Sequence, residues 1–149
     1  MAQTTTAVNA CDVSFWIDNA AGTITDVSGS SNSLKVTLER EIGELRTFQA
    51  KWPVRSGCGK DMKLDYVAVY STSATEAAQM LLAWWFTTSP EDRTFKLYVP
   101  TKNVGSNYFT GQIVIENLEW DNDPTKPEPI ALKATFLAHG TISHSIAAT

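Results

Sequence analysis

A chain of 149 residues that is 43% hydrophobic and 19% charged carries enough apolar mass for one packed domain, which excludes a disordered chain. A net charge of −4 and a pI near 5.1 argue against a body that binds nucleic acid nonspecifically, yet leave room for an acidic surface past which nucleic acid slides. No apolar run reaches the ~18 residues of a membrane span, and the opening MAQTTTAVNA has neither the charged nor the apolar region of a secretory signal.

Residues 1–10 are rich in Thr and Ala and read as a flexible N-terminal tail. Cys11, Val13, Phe15 and Ile17 then alternate with Asp12, Ser14, Trp16 and Asp18, which predicts a strand. Asn19 to Gly22 supply a turn, and Thr23 to Val27 a short return strand, so 11–27 reads as a hairpin. Ser28 to Ser33 form a polar connection.

The next stretch organises the chain. Leu34, Val36 and Leu38 alternate with Lys35, Thr37 and Glu39, a strand with one buried face. The alternation then gives way to a mixture. Glu39, Arg40, Glu41, Glu44, Arg46, Lys51 and Arg55 surround Ile42, Leu45, Phe48, Trp52 and Val54. A core segment would not hold so many charges, nor a free loop so many large apolar groups. A projecting arm, solvated in the monomer and covered by a neighbouring subunit, would hold both. Residues 33–63 carry seven basic and four acidic side chains, net +3, which leaves −7 on the rest. A basic arm on an acidic body suits head-to-tail contact between copies. The plainer alternative is a charged surface hairpin without a partner.

Met62 to Tyr70 places Leu64, Tyr66, Ala68 and Tyr70 on one face and Val67 and Val69 on the other, which predicts a central strand. Ser73-Ala-Thr-Glu76 has the spacing of a capping box. The helix after it runs to about Phe86, with Ala77, Leu81, Trp84 and Trp85 as its packing face. Pro90 stops it. Arg93 to Val99 alternates again and Pro100 ends it; Thr101 to Asn107 is a loop with Gly105. Tyr108 to Trp120 is a long strand, and the proline-rich 121–129 an exposed connection. Ile130 to Ala138 is the last full strand, which His139-Gly140 breaks. Residues 140–149 are a short edge strand or a tail. The sum is a mainly β chain of about seven strands and one helix.

Motifs for chemistry fail one by one. Gly57-Cys-Gly-Lys60 lacks the Gly and Ser/Thr that a phosphate loop needs at positions held by Val54 and Asp61. Asp121-Asn122-Asp123 lacks the glycine and distal glutamate of a calcium loop, and reads as a solvated acidic turn. His139 and His144 have no G-x-S-x-G serine to serve. Two cysteines, Cys11 and Cys58, are too few and too far apart for zinc and are expected as reduced thiols. Glu39, Glu41 and Glu44 are interleaved with arginines, which favours ion pairing over acid–base work. No catalytic site, metal or cofactor is expected. Five tryptophans fit either a rich core or aromatic contact surfaces.

Asp18-Asn-Ala-Ala-Gly-Thr-Ile-Thr-Asp-Val-Ser28 resembles the early hairpin of the major tail tube proteins of long-tailed bacteriophages of the siphophage type. The order that follows is similar too: charged hairpin arm, long strand, one helix, further strands. The resemblance covers residues 11–139, read as a single domain. It implies a β-sandwich or partly closed barrel with one flanking α-helix and a projecting hairpin arm. It implies subunits that form hexameric rings stacked into a hollow tube, with the arm from Glu39 to Val54 reaching the neighbouring ring. The tape-measure protein would fill the lumen, DNA would pass through without specific binding, and tail terminator and tip proteins would close the ends. The place implied is the virion tail, after assembly in the host cytoplasm. A tail terminator or head–tail joining ring protein is the alternative within that setting. A carbohydrate-binding β-sandwich that displays its tryptophans is the alternative outside it.

Overall fold

The computed structural model describes residues 10–19, 22–49, 51–87, 92–99 and 106–146. The expected tail at 1–9, Pro90, Pro100 and the loop at Gly105 lie outside the described residues. Seven strands form one antiparallel sheet: β1 (Ser14–Asp18), β2 (Ile24–Asp26), β3 (Ser31–Leu45), β4 (Val54–Val69), β5 (Asp92–Val99), β6 (Asn107–Trp120) and β7 (Ala131–Ile146). Their order across the sheet is β2-β1-β5-β6-β7-β4-β3. The single described α-helix is α1 (Ala77–Phe86).

The sheet curls without closing into a barrel. In a flat sheet β1 and β4, four strand spacings apart, would be separated by ~19 Å. Yet the Phe15 ring on β1 lies 5.2 Å from the Tyr66 ring on β4, and 6.4 Å from Phe136 on β7. One sheet thus supplies both walls of the expected sandwich. Its inner face buries Phe15, Ile17, Leu64, Tyr66, Phe95, Ile113 and Phe136. Alternation along each strand is what makes this possible, since every second residue turns inward.

α1 packs on the same core. Ala77, Ala78, Leu81 and Trp84 are buried, and Trp84 stacks on Phe136 at 5.8 Å and 16°. Trp85 corrects the expected packing face, because it is 49% exposed. One residue beyond Trp84 is about 100° further round the helix, past the edge of the buried stripe. The capping box is a second correction. Glu76 is the N-cap but makes no side-chain cap bond, and the Ser73 hydroxyl pairs with Thr75 at 3.2 Å. The first helical N–H, that of Ala77, instead donates to Ser30 Oγ at 3.2 Å, from the 3-10 turn before β3. A tertiary partner has replaced the local one.

Two strand ends also differ from the expectation. Ala10–Asp12 form a 3-10 turn, so the first strand begins at Ser14. Gly140 does not end the last strand. It adopts φ +81°, and Gly140 to Ile142 form a bulge opposite Gly111, after which β7 resumes pairing with β6 as far as Ile146. A Cβ on Gly111 would stand 2.5 Å from Ile142 Cδ1, so glycine is what lets the bulge close over β6.

Arg93 and Tyr66 carry polar groups into the interior. Arg93 is 2% exposed, lies over the Trp84 ring at 4.9 Å and donates from Nη1 to the Asp18 carbonyl oxygen at 3.4 Å. Burial lowers its pKa, and the Asp18 charge opposes that shift. Tyr66 shares a short hydrogen bond with the Ser31 hydroxyl. Burial pushes its hydroxyl up to about 12 from 10.0; the Ser31 bond lowers it and the Asp26 charge raises it. The folded chain therefore favours the neutral phenol. That contribution is intact below pH 10 and is lost as the pH rises towards 12, by about 3 kcal/mol at full ionisation. Tyr66→Phe is expected to lower stability at neutral pH by ~1 kcal/mol, through the lost hydroxyl bond. It is also expected to flatten the decline between pH 10 and 12. A urea midpoint measured against pH checks both; parallel curves would show that Tyr66 does not titrate in that window.

Candidate assembly surface

β3 and β4 are long strands, of 15 and 16 residues, and only part of each belongs to the body. β4 pairs with β7 from Lys63 to Val69. From Asp61 back to Val54 its only partner is β3, through pairs that run from Glu39↔Asp61 to Leu45↔Val54. The arm is therefore a two-stranded ribbon continuous with the sheet rather than a separate loop. The expected end of alternation after Leu38 is corrected by this, since the strand goes on; so is its expected buried face, because Leu34 is only half-buried and Val36 and Leu38 are exposed on this edge strand.

A bulge sets the direction of the ribbon. Gly59, at φ +58°, is the extra residue between Arg40↔Lys60 and Glu41↔Cys58. Such bulges bend and twist the strand that carries them. The extra residue is on β4, so β3 keeps its alternation through the bulge: Leu34, Val36, Leu38, Arg40, Ile42 and Glu44 share one face, and Glu39, Glu41 and Leu45 the other. Arg40 lies across Gly57 and donates to its carbonyl oxygen at 3.3 Å; a Cβ there would be 2.3 Å from Arg40 Nε. Glu44 joins Arg46 and, at 3.3 Å, Arg55 across the hairpin. These pairs are solvent-exposed and contribute little to stability, but they hold the tip in shape.

The apolar side chains on this ribbon have nothing over them. Ile42 is 59% exposed, Leu45 64%, Trp52 82% and Val54 64%, and Phe48 is fully exposed. Lys51 beside Trp52 takes part in no ion pair among the described residues. The structure thus brings together all eleven arm residues expected from sequence, Glu39 through Arg55, on one protrusion. Ala77, Leu81 and Trp84 of the helix packing face are buried in the core.

Sequence reasoning missed the opposite end of the sheet. The partner positions Val69↔Ala131 and Trp120↔Leu132 put the ends of β4 and β6 beside the start of β7. There Val69, Trp120 and Ile130 are each about two-fifths exposed (41%, 43% and 38%). Tyr70 packs on Trp120 with ring centres 6.0 Å apart. Glu119 at the end of β6 and Asp121, Asp123 and Glu128 of the 121–129 connection rim a concavity of about 420 Å³ here. Asp123 is fixed by the Thr125 hydroxyl at 2.7 Å and the Thr125 N–H at 3.0 Å, bonds that lower its pKa. The proline and acid content of 121–129 was the available signal, and it indicated only exposure.

The two edges of the sheet differ. At one, β2 is three residues long, and Ser28 Oγ accepts from the Phe15 N–H at 2.8 Å, so little backbone is left open. At the other, β3 runs its whole length with no outer partner among the described residues. An uncovered edge of that length is a template for another strand. Cys11 and Cys58 are free and exposed. Among the described residues no group of His, Cys, Asp and Glu is placed to hold a metal, and no helix is long and apolar enough to cross a membrane.

Neither a family model nor a curated protein matches the sequence. Solved structures match the fold. A chain from the tail of an empty gene transfer agent (GTA) particle, refined with C6 symmetry, superposes with a TM-score of 0.74 at 12% identity, over 93% of this chain and 99% of that one. A chain of the SPP1 tail tube gives 0.73 at 12% identity, over 96% and 81%. A chain of the anti-feeding prophage cap, which terminates its tube, gives 0.73 at 9% identity, over 99% and 96%. The protein has the fold of tail tube subunits.

Proposed function

We propose that this chain is a structural, self-assembling subunit without enzymatic activity. More particularly, it is a tail tube protein that forms stacked hexameric rings in a virion tail. The observation that carries this reading is the exposed arm: five large apolar side chains on a charged ribbon, projecting from a fold that tail tube chains share. The long open edge of β3 is a second surface that an assembly would cover. In a tube of this kind the lumen takes the tape-measure protein first and DNA afterwards, and an acidic body of net −7 outside the arm region would repel phosphates rather than bind them.

A tube-terminating cap is the second reading, favoured by the fold likeness to the anti-feeding prophage cap. The tryptophans weigh against a carbohydrate-binding platform. Trp84 is buried, Trp52 stands at the arm tip, Trp120 is at the far end of the sheet and Trp85 is on the helix. Negative-stain electron microscopy of the purified protein in low and high salt separates these readings. Long hollow tubes are expected; closed rings that never lengthen indicate the cap, and a strict monomer in every salt removes the proposal.

A further inference from the structure

The two ends of β4 carry complementary surfaces. The strand's 16 residues place the arm tip and the Val69 end roughly 50 Å apart, less the bend at Gly59. At the tip, residues 44–55 hold Arg46, Lys51 and Arg55 against Glu44, which pairs with both arginines, net +2, around the bare Trp52 and Phe48. At the other end, the concavity is lined by four carboxylates, Lys126 and Lys133, net −2, around the half-bare Trp120 and Ile130. Each end is an apolar centre inside a charged rim, the two rims have opposite sign, and the concavity at the acidic end has room for an indole. Such a pair is heterologous: it joins unlike surfaces and repeats without closing when copies are translated along an axis.

We infer that the Trp52 tip of one copy docks into the Trp120–Ile130 concavity of a second copy, with Lys51 set against the Glu119 and Glu128 carboxylates. The contact is the stacking contact between successive rings, so the inference rests on the tube reading and gives the arm its receiving site. Apolar centres supply affinity once water is excluded, and the charged rims supply direction, since tip on tip and rim on rim are both repelled. The Lys126–Asp121 pair at 3.3 Å leaves Glu119 and Glu128 as the rim carboxylates with no ion pair among the described residues.

Charge reversal tests it, because Lys51, Glu119 and Glu128 are all exposed and their replacement leaves the core untouched. Tube formation is followed by light scattering and electron microscopy for the native chain, Lys51→Glu, the Glu119→Lys/Glu128→Lys double variant, and all three changes in one chain. Loss of tubes is expected in each of the first two variants, with rings retained, and recovery of tubes in the third. Tubes of native length from either partial variant, or no recovery in the triple one, overturn the docking site while the native tubes still uphold the tube reading. A native chain that makes no assembly overturns both.

Discussion

Replacing Glu39–Asp61 by a two-residue Asn-Gly turn between Leu38 and Met62 is expected to give a folded chain that no longer makes tubes. The turn suits two antiparallel strands of this twist. None of the residues removed belongs to the buried core, whose outermost member on this hairpin is Met62. The ladder lost is the part of β4 that has β3 as its only partner, and isolated two-stranded ribbons are marginal in water. The melting temperature should therefore change by only a few degrees while polymerisation is abolished. Circular dichroism with thermal melting reads the first quantity and electron microscopy the second. Long tubes from this variant would remove the arm from the assembly; a chain that fails to fold would show that the ribbon supports the body.

The opposite split is expected at Phe136. Its ring is fully buried and meets Phe15, Tyr66 and Trp84, so it ties β1, β4 and α1 to β7. Phe136→Ala opens a cavity that the surrounding strands cannot collapse into, because each is pinned by its own ladder. The cost is about 3–5 kcal/mol, against a total of roughly 5–15 kcal/mol for a domain, and a fall in melting temperature on the order of 10 °C. Phe48→Ala, at the exposed tip, is the contrasting variant and should leave the melting temperature in place. Equal shifts in the two variants would mean that Phe136 is not the hub the packing describes.

Local pattern carried much of this fold. Phe15 and Ile17, Leu64 and Tyr66, and Phe95 and Leu97 alternate with outward-facing neighbours, and each pair is buried. The arm was legible for a different reason: Ile42, Leu45, Phe48 and Trp52 among charges fit neither core nor free loop, and the structure leaves all four exposed. Non-local choices were not legible. Nothing near Ser14 announces that it pairs with Tyr98, and no local feature of Ala77 announces Ser30 as its hydrogen-bond partner. The capping box misled because Ser73 found a nearer partner in Thr75. His139-Gly140 misled because glycine punctuates a bulge as readily as a strand end. The receiving surface could not be assembled from sequence, because Val69, Trp120 and Ile130 come together only through the β6–β7–β4 order.

One strand, β4, runs from the arm tip at Val54 to the body's far end at Val69, and Gly59 is its one bulge. Its hydrogen bonds to β3 and β7 lie across the strand direction. A pull applied at the tip and resisted at the far end would load those bonds in shear, so that many must fail at once instead of unzipping singly. Tension would reach Leu64 and Tyr66 in the core without crossing a loop. A column of such subunits, joined tip to far end, would carry axial load along β4 and through its ladder into β7 and β6, whose ends form the concavity.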